Sequence, residues 1–103
     1  MCIRDRYKAI VDRYKARFGR DLPDSTYFGY TSIMLFAEGA RNAGRNLTPQ
    51  TLSQGLEQVR DFKTVFEGPS QSYKPGDHSP SPTVFVMRVR NGKWSVLEKN
   101  YRF

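Results

Sequence analysis

The sequence predicts an α/β chain of three helices, a connector and a carboxyl-terminal β-hairpin. Three observations carry this. Apolar residues recur at helical spacing through residues 7–42. Thr48-Pro49 has the chemistry of a helix start. Asn91-Gly92 separates two alternating stretches, and a type I′ turn needs positive φ at both of its central residues.

In the first predicted helix, residues 7–18, Tyr7, Ile10, Val11, Tyr14 and Phe18 form one stripe. Lys8, Asp12, Arg13, Lys15 and Arg17 lie off it, and Gly19 is a left-handed stop. A short polar loop with Pro23 follows. Asp24 or Ser25 can cap a second helix running to about Asn42. Tyr27, Tyr30, Ile33, Met34, Phe36, Ala37 and Ala40 give that helix a wide apolar face. Gly29 and Gly39 permit close approach of neighbouring backbone, and Gly44 closes the helix.

Thr48 caps the third helix, with Pro49 at its first position. Leu47 is placed to staple onto Leu52. Leu52, Leu56 and Val59 form a narrow stripe, and the helix is expected to end near Arg60. Residues 61–74 are ambiguous, with short extended pieces possible at 65–66 and 70–73. Residues 75–82 hold three prolines and one glycine and read as a connector without regular structure.

A two-residue turn at Asn91-Gly92 pairs Arg90 with Lys93, Val89 with Trp94 and Met87 with Val96. Phe85, Met87, Val89, Trp94 and Val96 then share an apolar face that should be buried. Arg88, Arg90, Lys93 and Ser95 occupy the other face, with Val84, Val86 and Leu97 toward its far end. A lone hairpin is marginal in water, so a larger sheet or a helix layer must cover Trp94.

The chain has 103 residues, the size of one small domain, and its apolar content of 38% allows only a modest core. Net charge is +7, which suits nucleic acid, an anionic surface or a solvated basic surface. Arg41, Arg45, Arg60, Lys63, Lys74, Arg88, Arg90 and Lys93 are scattered over several elements, the pattern of a solvated surface. The longest uninterrupted apolar stretch, residues 33–37, is far below membrane-span length. The first residues have no apolar h-region, so no signal peptide is expected within the chain. Met1-Cys2-Ile3-Arg4-Asp5 is the translation of ATG TGT ATA AGA GAC, a transposon end used in shotgun, including metagenomic, libraries. Residues 1–6 are therefore expected to be adaptor read-through, with the natural gene continuing upstream.

The single cysteine and single histidine support no disulfide, metal site or catalytic constellation. Asp77-His78 is the one place that joins a carboxylate to an imidazole, and Glu67 with Asp77 is the one candidate carboxylate pair. Tyr27, Phe28 and Tyr30 either line a ligand pocket or pack as ordinary core.

Taken in order, these segments resemble the type 1 periplasmic solute-binding proteins, the branched-chain amino-acid receptors of ABC transporters. Residues 7–19 are similar to that family's "YKARFG" helix, and Gly29-Tyr30-Thr31-Ser32 sits where its "YDA" helix lies. Residues 47–61 resemble its "lt.eal..aLe.l.df" helix, residues 66–73 its "GPi.y" segment, and Gly76-Asp77-His78 its "GDH" turn. Residues 84–97 resemble its closing "vyv.rv.dGkw..l" hairpin.

The resemblance implies the carboxyl-terminal fragment of a two-lobe fold with ligand held between the lobes. Residues 7–74 would form the distal part of the amino-terminal lobe. Residues 75–82 would be the last hinge crossover, with Gly76, Asp77 and His78 as hinge residues. Residues 83–103 would supply the second lobe's hairpin and tail. It further implies capture of a small amino-acid-like solute and delivery to ABC permease membrane subunits, in the periplasm or lipid-anchored outside the membrane. No catalytic residue, cofactor, metal or nucleic-acid partner is implied. Thr31-Ser32 replaces the family's Asp-Ala, so its best-known ligand preferences do not transfer. Tyr27 is the residue placed to wall the cleft. The alternative is a winged-helix DNA-binding module, three helices then a hairpin in a basic chain. Against it, over twenty Gly-, Pro- and Ser-rich residues separate helix from hairpin. As a fragment, the chain is expected to fold poorly alone.

Overall fold

The structure, a computed structural model, describes residues 3–66, 68–80 and 82–102, with the side chain of Ile3 left aside. Met1, Cys2 and Glu67, and with Glu67 the proposed Glu67–Asp77 pair, lie outside the described residues. The elements run α1 (Ile3–Phe18), α2 (Thr26–Ala43), α3 (Pro49–Leu56), β1 (Thr83–Arg90) and β2 (Lys93–Arg102). Among the described residues no helix is long and apolar enough to cross a membrane.

α1 starts earlier than the apolar stripe suggested. Asp5 in its first turn and Lys15 and Arg17 in its last complement the helix dipole. It stops at Gly19, whose φ is 68° and whose N–H donates to the Lys15 carbonyl at 2.8 Å. α2 does not use the expected side-chain cap. Ser25 is itself helical (φ −62°, ψ −18°) and makes no capping bond. Backbone supplies the acceptors instead: Thr26 N–H donates to Pro23 O at 3.0 Å and Tyr27 N–H to Asp24 O at 3.3 Å. Pro23 makes a tight turn there, so the cap chemistry is redundant.

α3 opens as its sequence demands. Thr48 is extended, its Oγ1 accepts from Thr51 N–H at 3.1 Å, and Thr51 Oγ1 accepts from Thr48 N–H at 2.8 Å. The helix ends at Leu56, short of the expected Arg60. Gln58 and Val59 N–H groups bond carbonyls three residues back, which tightens the last turn. The Arg60 guanidinium then donates to the carbonyls of Glu57 and Val59, acceptors that a longer helix would have used, and to that of Tyr73 on the returning segment.

α2 and α3 cross where two glycines meet. A Cβ on Gly55 would lie 2.2 Å from Gly39 O and 2.9 Å from Ala43 N. A Cβ on Gly39 would lie 2.5 Å from Leu56 Cδ2. Asn42 Nδ2 donates to Gly55 O at 3.0 Å, which fixes the crossing. Gly29, expected to play the same part, has nothing within 4 Å of its would-be Cβ. The only buried apolar side chain among the described residues is Val59, at 2% exposure.

The segment after α3 is a series of pinned turns. Phe62 and Gln71 exchange two backbone bonds at 2.8 and 2.9 Å, and Tyr73 N–H donates to Val59 O at 3.0 Å. This places residue 71 as extended, whereas the expected piece at 65–66 is a bend. Lys74 and Asp77 pair across Pro75-Gly76, where Gly76 takes φ 75°. The expected structureless connector thus begins with an ordered turn, because Pro-Gly supplies the two φ values a type II turn needs.

The hairpin register is as expected near its turn: Arg90↔Lys93, Val89↔Trp94 and Met87↔Val96, with φ 49° at Asn91 and 71° at Gly92. β2 runs beyond the expected residue 98 because two bulges restore pairing, giving Val86↔Glu98 and then Val84↔Tyr101. No layer among the described residues covers the apolar face, so it is open. Trp94 is 71% exposed, Val89 56% and Met87 46%. A compact 11.9 kDa chain exposes about 5,900 Å², whereas this one exposes 8253 Å². Its radius of gyration is 16.2 Å, against about 13 Å for a compact domain this size.

Residues 7–103 alone should therefore unfold over a broad temperature range, and a sharp two-state calorimetric transition would contradict this. In a stabilising osmolyte, Gly55→Ala should cost about 1–3 kcal/mol because backbone must move, and Gly39→Ala roughly 1 kcal/mol because Leu56 can shift. Gly29→Ala should gain about 0.5–1 kcal/mol. The urea dependence of the helical circular dichroism signal gives the ranking.

Candidate functional site

Tyr27 lies in the first turn of α2, and its position follows from the Pro23 turn that starts the helix. Its hydroxyl is 3.1 Å from that of Tyr7 on α1. Phe66 is the hub of the surrounding aromatic group: its ring centroid lies 4.7 Å from Tyr27, 5.6 Å from Tyr30 and 6.0 Å from Tyr7. The Tyr7 and Tyr30 contacts are edge-on, the arrangement aromatic quadrupoles favour. Tyr27 and Tyr30 are thus half-buried in ring contacts, while Phe28 is 79% exposed and, unlike Tyr30, lines the cleft beside this group together with Tyr27. Sequence reasoning missed Phe66 as the hub, since its one signal was a lone aromatic before Gly68-Pro69.

Beside this group opens a cleft of about 610 Å³. Tyr27, Leu35, Phe62 and Phe66 give it apolar wall, and Ser32 and Thr64 give it hydroxyls. Lys63 and Lys99 bring positive charge to its edge, and the Lys99 ammonium lies 5.8 Å from the Phe85 ring centroid. Such a surface can hold a small molecule with an apolar body and a polar or anionic end. The Tyr7 hydroxyl bond, then burial, then the nearby charges of Tyr7 and Asp24 hold the Tyr27 phenol above its ordinary pKa. It therefore acts as a neutral hydrogen-bonding group. Burial likewise pushes the Tyr73 phenol up.

The structure separates Asp77 from His78 chemically. Asp77 Oδ1 accepts from Ser79 N–H at 3.1 Å, and Oδ2 sits 3.5 Å from Lys74 Nζ. The Ser79 amide, with Lys74 adding to it, lowers the Asp77 carboxyl below its ordinary value. His78 Nε2 instead meets Glu57 Oε1 at 2.9 Å, at the end of α3. No local spacing could have revealed a partner 21 residues away. Gly76, Asp77 and His78 are thus held in one pinned turn, remote in sequence from Tyr27. Among the described residues, no three His, Cys, Asp or Glu side chains converge to hold a metal ion.

Two predictions follow from these contacts. Tyr7→Phe and Tyr27→Phe should each cost about 0.5–1 kcal/mol and the double variant no more than either, a non-additivity that a double-mutant cycle measures. Full additivity would contradict the shared bond. Because the folded pKa of Asp77 is depressed, its contribution is present above the ordinary carboxylate value near 3.9 and lost as pH falls through the lower folded value. Protection of the Asp77 and Ser79 amides from hydrogen exchange should fall on strong acidification, and Asp77→Asn should abolish that fall.

The periplasmic binding protein family matches the chain over residues 4–93, spanning all three helices, the pinned turns, β1 and the hairpin turn. Searches of curated proteins and of solved structures return no match. The fold agrees with that family: three helices and a two-stranded antiparallel sheet of α/β character. The chain belongs to the periplasmic binding protein family, as a member of the type 1 class whose motifs it carries in order.

Proposed function

We propose that the chain is the carboxyl-terminal portion of a non-enzymatic, extracytoplasmic receptor that captures a small amino-acid-like solute between two lobes and delivers it to an ABC permease. Residues 7–74 belong to the distal part of the first lobe. Residues 75–82, with Gly76, Asp77 and His78, make the last crossing between lobes, and residues 83–103 return to the second. The observation that carries this reading is the open hairpin face: Met87, Val89, Trp94 and Val96 form an apolar surface left uncovered among the described residues, as one piece of the two-lobe fold implied by the resemblance would leave it. A hairpin of that composition needs a partner layer, and the pinned turn before β1 supports a crossing that pivots against α3. Tyr27 serves as one wall of the solute cleft.

The test is a panel of amino acids titrated into the full-length receptor by calorimetry. One member should bind, and Tyr27→Ala should weaken it about tenfold, the scale of losing a half-buried aromatic wall. Salt-dependent binding of duplex DNA with no response to any solute would contradict the reading.

A further inference from the structure

We propose that His78 and Glu57 form a pH-operated latch that holds the segment from Ser72 to Pro80 onto the end of α3. The pair spans two elements: His78 follows the Lys74–Asp77 turn, and Glu57 is the residue at which α3 ends. Nε2 lies 2.9 Å from Oε1, with Glu57 only 20% exposed and His78 open to solvent at 64%. The imidazole is thus open to water while its partner is mostly covered.

One backbone bond crosses the same junction: Tyr73 N–H donates to Val59 O at 3.0 Å, whereas the Ser72 N–H bond to Pro80 O at 2.8 Å closes the segment on itself. The Tyr73 bond loosens if the turn lifts from α3. The charged residues nearest the pair in sequence are Arg60 and Asp61 beyond α3, and Lys74 and Asp77 on the turn. Arg60 is engaged with three carbonyls, and Lys74 with Asp77. Guanidinium, ammonium and carboxylate groups do not change charge between about pH 5.5 and pH 8, whereas imidazole does. His78 is the only histidine in the sequence.

The sign is set by the partner. A protonated imidazole makes a charge-assisted bond to the Glu57 carboxylate. A neutral one keeps only the weaker hydrogen bond. The latch is therefore tight in mild acid and looser above neutrality. An extracytoplasmic protein meets ambient pH directly, and a latch of this kind converts that pH into the freedom of the segment. Its effect on solute binding rests on the reading of residues 75–82 as the interlobe crossing.

The experiment is amide hydrogen exchange on the 103-residue chain in a stabilising osmolyte, corrected for intrinsic rates. The Gly44 amide, bonded within α2's own end, is the internal reference. From about pH 5.5 to pH 8, protection at Tyr73 should fall about two- to fivefold relative to Gly44, the scale of a solvent-accessible ion pair. Glu57→Gln and His78→Gln should remove the pH dependence, and His78→Lys should hold protection at the acid level throughout. In the full-length receptor, solute affinity should change over the same window and lose that change in Glu57→Gln. A switch in the Tyr73 amide with flat affinity would sustain the latch and reject the crossing. A flat amide profile, a fall shared equally by Gly44, or a fall that survives Glu57→Gln would overturn the latch.

Discussion

The described fold depends on one contact, the backbone crossing of α2 and α3 at Gly39 and Gly55. With so little side chain buried, close packing cannot come from a large apolar core. It comes from removing two Cβ atoms, so that Gly55 lies against the Gly39 carbonyl and Leu56 covers Gly39. Dispersion grows steeply as atoms reach contact, so a close backbone crossing gains many small attractions at once. Asn42 adds a hydrogen bond that fixes the angle. This crossing sets the direction in which α3 ends, and hence where Val59, Arg60 and Glu57 point.

From that end the rest is hung by polar contacts. Arg60 gathers three carbonyls, Val59 O receives the Tyr73 amide, and Glu57 meets His78. Phe66, carried on the same segment, returns to α1 and α2 through its contacts with Tyr7, Tyr27 and Tyr30. The cleft beside Tyr27 is thus shaped by a chain of contacts that begins at two glycines. The hairpin is held differently. Its strands pair well, but its apolar face meets no covering layer among the described residues, which is why the exposed area is so far above that of a compact domain.

What the sequence made legible was local. Thr48-Pro49 and Asn91-Gly92 specify backbone angles and hydrogen bonds by their own chemistry, and the structure realises both. The capping role expected of Ser25 failed because the Pro23 turn already supplied acceptors. Gly29 and Gly39 look alike in sequence, and only α3's approach separates the one that matters. The bulges in β2 were hidden because the alternation ends at residue 98 and the polar residues beyond it carry no period-2 signal, although Asn100, at φ 61°, marks a residue that tolerates the left-handed region. At the candidate site, Tyr27 was legible from its place at a helix entry. The hub at Phe66 and the partnership of His78 with Glu57 were not, since both are long-range and carry no periodic signal.

The central claim is that the hairpin face belongs against a layer of the full receptor. Residue-specific hydroxyl-radical footprinting of Trp94 tests it directly, comparing the 103-residue chain with the full-length receptor. Trp94 should be modified rapidly in the chain and be strongly protected in the receptor. Equal, rapid modification in both would contradict it.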